Sequence, residues 1–313
     1  MKALQCTELG GPEKLQVNEI DAPEAMPGHV VIDVKSGSIN FPDVLMIQGL
    51  YQFQPPLPFI PGGESAGVIS EVGEGVTKFK EGDKVFAMTG VGAFAEKILA
   101  AESNCMPIPE SMDFDSAAAL SMTYGTSLYA LKQRASLQPG ETLLVLGASG
   151  GVGLAAIELG KAMGAKVIAA ASTQDKIDMC LSHGADEGFI YPSSNLDRDQ
   201  QKELSNKIKE LTGGLGPNVI YDPVGGSYAE PCLRSIAWEG RYLVIGFAAG
   251  ADQIPKMPLN LTLLKGCQIV GVFWGAWVGQ FPDENKKNFD ELFNLHSEGK
   301  INPEVSQKYS LED

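Results

Sequence analysis

The run Leu143-Leu144-Val145-Leu146-Gly147-Ala148-Ser149-Gly150-Gly151-Val152-Gly153 carries the strongest chemical signal in the chain. An apolar strand enters a glycine-rich turn, and an alanine-containing helical pattern leaves it. Glycines let a backbone approach a pyrophosphate closely, and a helix N-terminus offers unpaired N–H groups and the positive end of a dipole. The strand before and the helix after distinguish a phosphate cradle from a plain glycine turn. The spacing G-x-x-G-G-x-G is one residue off the usual dinucleotide pattern, so a slightly longer loop is expected to form the nest. The next strand, residues 166–170, ends in Ala171-Ser172-Thr173, and Lys176 follows. Dinucleotide folds usually carry an acidic residue there for the ribose 2′-hydroxyl. A hydroxyl and an ammonium in its place favour a 2′-phosphate, hence NADP. Asp175 is close, but one helix position off the expected direction. The alternative for Lys176 is a solvated helix-surface residue.

The elements needed to position such a loop are legible around it. From Thr142 onward apolar strands alternate with helical patterns: residues 143–146, 151–163 and 166–170, then weaker strands at 189–190, 218–221 and 242–245. That alternation predicts a doubly wound parallel sheet. Residues 1 to about 122 read differently. Short strand signals stand at 30–34 and 67–72, residues 81–86 read as a turn feeding one more strand, and Pro55-Pro56-Leu57-Pro58-Phe59-Ile60-Pro61-Gly62-Gly63 cannot be helix. This half predicts a compact β-barrel-like domain. From Asn285, Phe289, Leu292, Phe293 and His296 recur at helical spacing, so an amphipathic helix is expected, with His296 at the core edge.

Composition narrows the partners. A chain of 313 residues suits about two domains. Its net charge of −15 repels phosphate backbones and anionic lipid faces, so neither nucleic acid nor a membrane is expected as a partner. No apolar run of signal-peptide length follows Met1-Lys2. The most apolar stretch, residues 261–278, is broken by Lys265, Gln268 and glycines, which fits a buried strand and loop rather than a membrane span. Five widely separated cysteines and three histidines form no disulfide ladder and share no ligand spacing. The expectation is no metal and a reducing, cytoplasmic location.

Several motifs run in order through nearly the whole chain: Asn40-Phe41-Pro42-Asp43, Gly49-Leu50-Tyr51, Pro56-Leu57-Pro58-Phe59-Ile60-Pro61-Gly62, Tyr124-Gly125-Thr126-Ser127, the glycine loop, Asp222-Pro223-Val224-Gly225-Gly226, and Gly240-Arg241 with Gly246-Phe247. On these residues the chain resembles the zinc-independent quinone oxidoreductases, the zeta-crystallin-like group of the medium-chain dehydrogenase/reductase superfamily. The resemblance implies an α/β protein with a GroES-like catalytic domain, residues 1–122 completed by 276–313, and a Rossmann domain, residues 123–275. The nicotinamide would lie in the cleft between them. It implies NADPH-dependent hydride transfer to a quinone or similar electrophilic acceptor. Zinc-dependent relatives place a cysteine near the position of Asn40 and a histidine just before Glu64. Here Gly63 stands in the second place and the four-cysteine lobe is missing, which agrees with the expectation of no metal. Glu64 then reads as a tie for the Gly62-Gly63 turn.

The same resemblance implies roles for single residues. Asn40 and Thr126 would lie near the nicotinamide or its ribose, and Ser149, Gly150, Gly151 and Val152 would hold the pyrophosphate. Ser172, Lys176 and Tyr191 would bind the 2′-phosphate, the alternative for Tyr191 being an aromatic packed on the sheet. Phe247 and Phe273 would approach the cofactor, although Phe273 and Trp274 could equally be core. Tyr51 is the candidate to hydrogen-bond or protonate a developing oxyanion, since a phenol donates without carrying charge; a turn aromatic walling the pocket is its alternative. Asn40 would orient the cofactor or the acceptor carbonyl. Two departures stand out. Ile47 and Gln48 occupy the place where such enzymes carry an arginine. The chain also stops at Tyr309-Ser310-Leu311-Glu312-Asp313, where the family continues into a final helix and a terminal strand; two readings stay open, a truncated tail with part of the cofactor lid missing or a lineage-specific tail. The apolar strand at residues 268–273 is expected at the sheet edge and, by resemblance, to join two chains into a homodimer. Two other functions remain open: reduction of an enoyl-CoA or another activated alkene, and NADPH binding without catalysis.

Overall fold

The computed structural model describes residues 1–193 and 195–313. They group into two units, Met1–Met122 with Pro303–Asp313, and Thr123–Asn302.

In the first unit, β1 (Lys2–Cys6) and β2 (Leu15–Glu19) form an antiparallel pair. They are followed by β3 (His29–Ser38), helix α1 (Phe41–Ile47), β4 (Glu64–Val72), β5 (Lys84–Met88), β6 (Lys97–Ala101) and β7 (Cys105–Pro107). The last five strands make one antiparallel sheet in the order β6-β3-β4-β5-β7. Residues two apart, such as Val85 and Ala87 or Ile98 and Ala100, face one core with Val30, Ile32 and Ile69, as the alternation of a strand requires. A smaller cluster joins Cys6, Met46, Ile47 and Phe59, with Tyr51 packed against it.

Helix α1 starts at Asn40, which is extended and serves as N-cap, with proline in the first turn. The Asp43 carboxylate accepts the Asn40 backbone N–H at 2.8 Å and also the N–H groups of Gly62 and Gly63. Asp43 therefore ties the glycine turn that the sequence assigned to Glu64. Its three donors are neutral, and burial outweighs them, so its pKa is pushed up from 3.8 to about 6.

Helix α2 (Phe114–Leu128) carries the chain from the first unit into the second and continues as a π-helical turn, Tyr129–Arg134. The second unit then runs β8 (Thr142–Val145), α3 (Gly151–Ala162), β9 (Lys166–Ala171), α4 (Gln174–Ser182), β10 (Glu187–Ile190), α5 (Arg198–Leu211), β11 (Val219–Asp222), α6 (Ala229–Ser235), β12 (Arg241–Val244), α7 (Asn260–Lys265), β13 (Gln268–Gly271), α8 (Trp274–Gln280) and α9 (Pro282–Ser297). The strands are parallel, in the order β10-β9-β8-β11-β12-β13. Central strands such as β8 and β9 are near-continuous apolar runs, as sheets covered on both faces require. The order reverses between β8 and β11, which makes the carboxyl ends of these strands the ligand-binding edge of such a sheet.

The chain returns to the first unit at Pro303, not at residue 276 as the sequence suggested. Trp274 is packed so closely on Gly125 that a Cβ there would lie 2.5 Å from its ring, and its indole N–H donates to Asn285 at 3.2 Å. Phe289 and Leu292 on α9 are buried, and Asn288 pairs with Gln133. Glu158, buried on α3, accepts the Tyr124 hydroxyl at 2.6 Å and the Asn302 N–H at 2.8 Å, and lies 2.7 Å from His183 Nδ1. These contacts hold α8, α9 and Asn302 in the second unit.

Asp43 supplies a direct test of the first unit. Its folded-state pKa lies above the unfolded value, so its contribution to stability is full below about pH 4 and is lost as the pH rises through 6. Relative to Asp43→Asn, the wild type is expected to lose roughly 3 kcal/mol between pH 4 and pH 7, at about 1.4 kcal/mol per pKa unit. Urea unfolding of both proteins across that range measures it, and a pH-independent difference would contradict the assignment.

Candidate functional site

The glycine loop lies where β8 ends and α3 begins. Gly147 has φ of +55°, a left-handed conformation that glycine adopts without steric cost. A Cβ on Gly153 would lie 2.6 Å from the carbonyl oxygens of both Gly147 and Ala148. Only glycine lets the helix start this close beneath the turn. Gly150 is the N-cap of α3 and no side chain caps it. The first intrahelical bond runs from Leu154 N–H to Gly150 O at 2.9 Å, which leaves the N–H groups of Gly151, Val152 and Gly153 outside the helical ladder. Ser149, Gly150, Gly151 and Val152 are all at least partly exposed. The result is a cluster of donors on a twelve-residue helix, suited to an anion.

Asp222, at the end of neighbouring β11, fixes the adjacent wall. Its buried carboxylate accepts the N–H groups of Val224 and Gly225 at 2.8 Å each, and also the Tyr242 hydroxyl. Burial raises its pKa against those donors. The turn it holds places Val224 beside Gly147 and Gly225 beside the half-exposed Phe247 ring.

At the end of β9 the two residues singled out for a second phosphate meet: Lys176 Nζ donates to Ser172 Oγ at 3.1 Å. Thr173 caps α4 between them, and Lys176 makes no ion pair among the described residues. Tyr191 is buried, and its hydroxyl accepts the Gly147 N–H at 3.1 Å. Its ring lies 4.8 Å from that of Tyr228. Burial pushes its pKa up to about 12, so the hydroxyl keeps its proton. Thr126 is half-buried on α2. Phe273 and Trp274 part company: Phe273 is 56% exposed and Trp274 only 6%. Backbone donors at α3 and a hydroxyl–ammonium pair at β9 together fit a dinucleotide carrying an additional phosphate.

In the first unit, Asn40 joins a buried polar group. Its Nδ2 donates to Glu64 Oε1 at 2.5 Å and to Ser38 Oγ at 3.2 Å. Glu64 Oε2 accepts the Met122 N–H at 2.8 Å and also the Ser121 hydroxyl. Glu64 is fully buried, and burial raises its pKa despite these donors. Tyr51 is half-buried against Met46 and Phe59, and burial together with nearby Asp43 holds its phenol above the usual pKa. It is thus a neutral donor at physiological pH.

Sequence reasoning did not identify Asp43, Glu64 and Ser121 as members of this group. Asp43 had a local signal, since Asn40 and Asp43 have the spacing of a capping box. Glu64 and Ser121 are 57 residues apart, and nothing local links them. Among the described residues, no group of three or more His, Cys, Asp or Glu is placed to hold a metal ion. The five cysteines are free and buried.

Residues 26–110 match the family described as alcohol dehydrogenase GroES-like domain, and residues 151–293 match the one described as zinc-binding dehydrogenase. A quinone oxidoreductase-like protein 2 homolog of Nematostella vectensis is 38% identical over 314 residues, covering 99% of this chain and 83% of the relative. The quinone oxidoreductase of Pseudomonas aeruginosa is 34% identical, covering 99% of this chain and 92% of its own. The crystal structure of Escherichia coli quinone oxidoreductase complexed with NADPH superposes with a TM-score of 0.88 at 30% identity, covering 100% of this chain and 93% of that one. With the open-ended glycine loop and the Rossmann strand order, these likenesses place the chain in the medium-chain dehydrogenase/reductase superfamily, among its quinone oxidoreductase-like members.

Proposed function

We propose that the chain is an NADPH-dependent reductase that delivers a hydride to a quinone or a similar electrophilic acceptor. The observation that carries this reading is the Ser172–Lys176 pair at the end of β9 beside the uncapped start of α3. An NAD site would want a carboxylate there; a hydroxyl and an ammonium suit a 2′-phosphate. NADPH supplies the hydride when bound. The N–H groups around Ser149, Gly150, Gly151 and Val152 take the pyrophosphate, while Ser172 and Lys176 take the 2′-phosphate, with Tyr191 at their side. Asn40 and Thr126 orient the nicotinamide ribose, and Phe247 and Phe273 exclude water from the ring. Tyr51 donates a hydrogen bond, and then its proton, to the oxygen that becomes negative on the reduced acceptor. A raised pKa keeps that proton in place until it is needed.

The edge strand β13 supports a homodimer. Ile269 is exposed on it, and a groove of about 570 Å³ runs along the edge between Arg134, Leu259, Thr262 and Cys267. Leu263 and Leu264 on α7 are exposed nearby. Unpaired, this apolar edge would invite association with another strand. Five free, buried thiols support a reducing compartment such as the cytoplasm, and no helix among the described residues is long and apolar enough to cross a membrane.

Three outcomes are expected. Lys176→Ala raises the Kd for NADPH at least about tenfold, the loss of a charge-assisted bond, and leaves that for NADH within about twofold. Equal losses for both dinucleotides, read by nicotinamide fluorescence, would contradict the phosphate assignment. Tyr51→Phe lowers kcat with 1,4-benzoquinone at least about tenfold, and full turnover would remove the tyrosine from the chemistry. Light scattering gives twice the chain's mass, and Ile269→Lys reduces it to one; a monomeric wild type would refute the dimer.

A further inference from the structure

The Asn40 amide has two hydrogens, and both are committed: one to Glu64 Oε1 at 2.5 Å, the other to Ser38 Oγ at 3.2 Å. The Ser38 carbonyl lies beyond them at 3.5 Å. A carboxylate and a carbonyl can only accept, so the nitrogen must face Glu64 and the oxygen must face away. Glu64 is itself locked. The backbone N–H of Met122, which cannot rotate to become an acceptor, points at Oε2, and the Ser121 hydroxyl joins it there. We infer that Glu64 is a positioning residue that sets the polarity of Asn40, leaving it able to accept a hydrogen bond but not to give one.

This inference rests on the reductase reading above and sharpens it. A quinone presents carbonyl oxygens and no N–H or O–H group, so an acceptor-only Asn40 has nothing to bind on it. The reduced dinucleotide presents ribose hydroxyls and a carboxamide N–H. Asn40 therefore serves the cofactor, and polarising the acceptor carbonyl falls to Tyr51, a donor. Of the two roles open to Asn40 in the sequence, the buried acid selects one.

Glu64→Gln tests this because its outcome is directional. Met122 N–H holds the glutamine oxygen on its own side, which turns the new NH₂ toward Asn40. Two amide nitrogens cannot share that contact, so the Asn40 amide flips and offers a donor where an acceptor is needed. The Kd for NADPH is expected to rise about tenfold, while 2′,5′-ADP, which lacks the nicotinamide ribose, binds as in the wild type and the KM for 1,4-benzoquinone stays within about twofold. The swap Glu64→Gln with Asn40→Asp restores the order of polarity: glutamine donates, and aspartate accepts on both sides. It is expected to recover NADPH affinity to within about threefold, which a merely loosened fold would not do. Should Glu64→Gln fail to fold, Asn40→Ala is expected to show the same selective loss. Unchanged NADPH affinity in the foldable variant, or a swap that does not recover it, would overturn the inference. A wild type that binds 2′,5′-ADP but not NADPH would overturn it too; one that binds neither would instead remove the reductase reading and the inference with it.

Discussion

The close approach of helix α3 to the end of strand β8 is the constraint on which the second unit is built. A side-chain carbon at Gly153 would lie 2.6 Å from two carbonyl oxygens, so the helix can begin where it does only because that position has none. Placed there, its first turn leaves backbone donors facing outward, with no side chain competing for them. The neighbouring wall is set by Asp222, whose carboxylate gathers the turn after β11 and seats Val224 against Gly147. Sheet order does the rest: β8 and β11 are adjacent at the point where the winding reverses, which opens their carboxyl ends to a ligand.

Buried acids recur through both units, and backbone N–H and hydroxyl groups hold them. Asp43 takes three N–H groups, Glu64 takes two hydroxyls, an amide and an N–H, and Asp222 takes two N–H groups and a phenol. Neutral donors orient a carboxylate without supplying a counter-charge. Burial then wins, and all three pKa values rise. The cationic side chains lie elsewhere, mostly at the surface in exposed pairs such as Lys286 with Asp290, which contribute little to stability. Lys176 turns to Ser172 rather than to a carboxylate, so its charge has no ion-pair partner among the described residues.

Local chemistry was legible in the sequence wherever it depended on neighbours along the chain. The glycine loop announced a strand, a turn and a helix N-terminus, because backbone geometry and glycine placement are local. Ser172 and Lys176 were readable as a pair because they lie four residues apart, on either side of the Thr173 cap that opens α4. Groups assembled across the chain were not readable. Glu64 was assigned to the Gly62-Gly63 turn by adjacency, yet the turn is held by Asp43, and Glu64 reaches instead to Asn40 and Ser121. The apolar stripe of Phe289 and Leu292 predicted a helix correctly, but periodicity does not say which body a helix covers; the Trp274–Gly125 packing decides that. The identical reasoning left Phe273 and Trp274 indistinguishable until burial separated them.

The central claim, that this fold holds a phosphorylated dinucleotide and spends its hydride on an acceptor, is tested most directly by titrating the wild-type protein with NADPH and NADH while following nicotinamide fluorescence, then adding 1,4-benzoquinone and following absorbance. Tighter binding of NADPH than of NADH, followed by acceptor-dependent oxidation, is the predicted result. Preference for NADH, or NADPH bound and never oxidised by any quinone or activated alkene, would contradict the account.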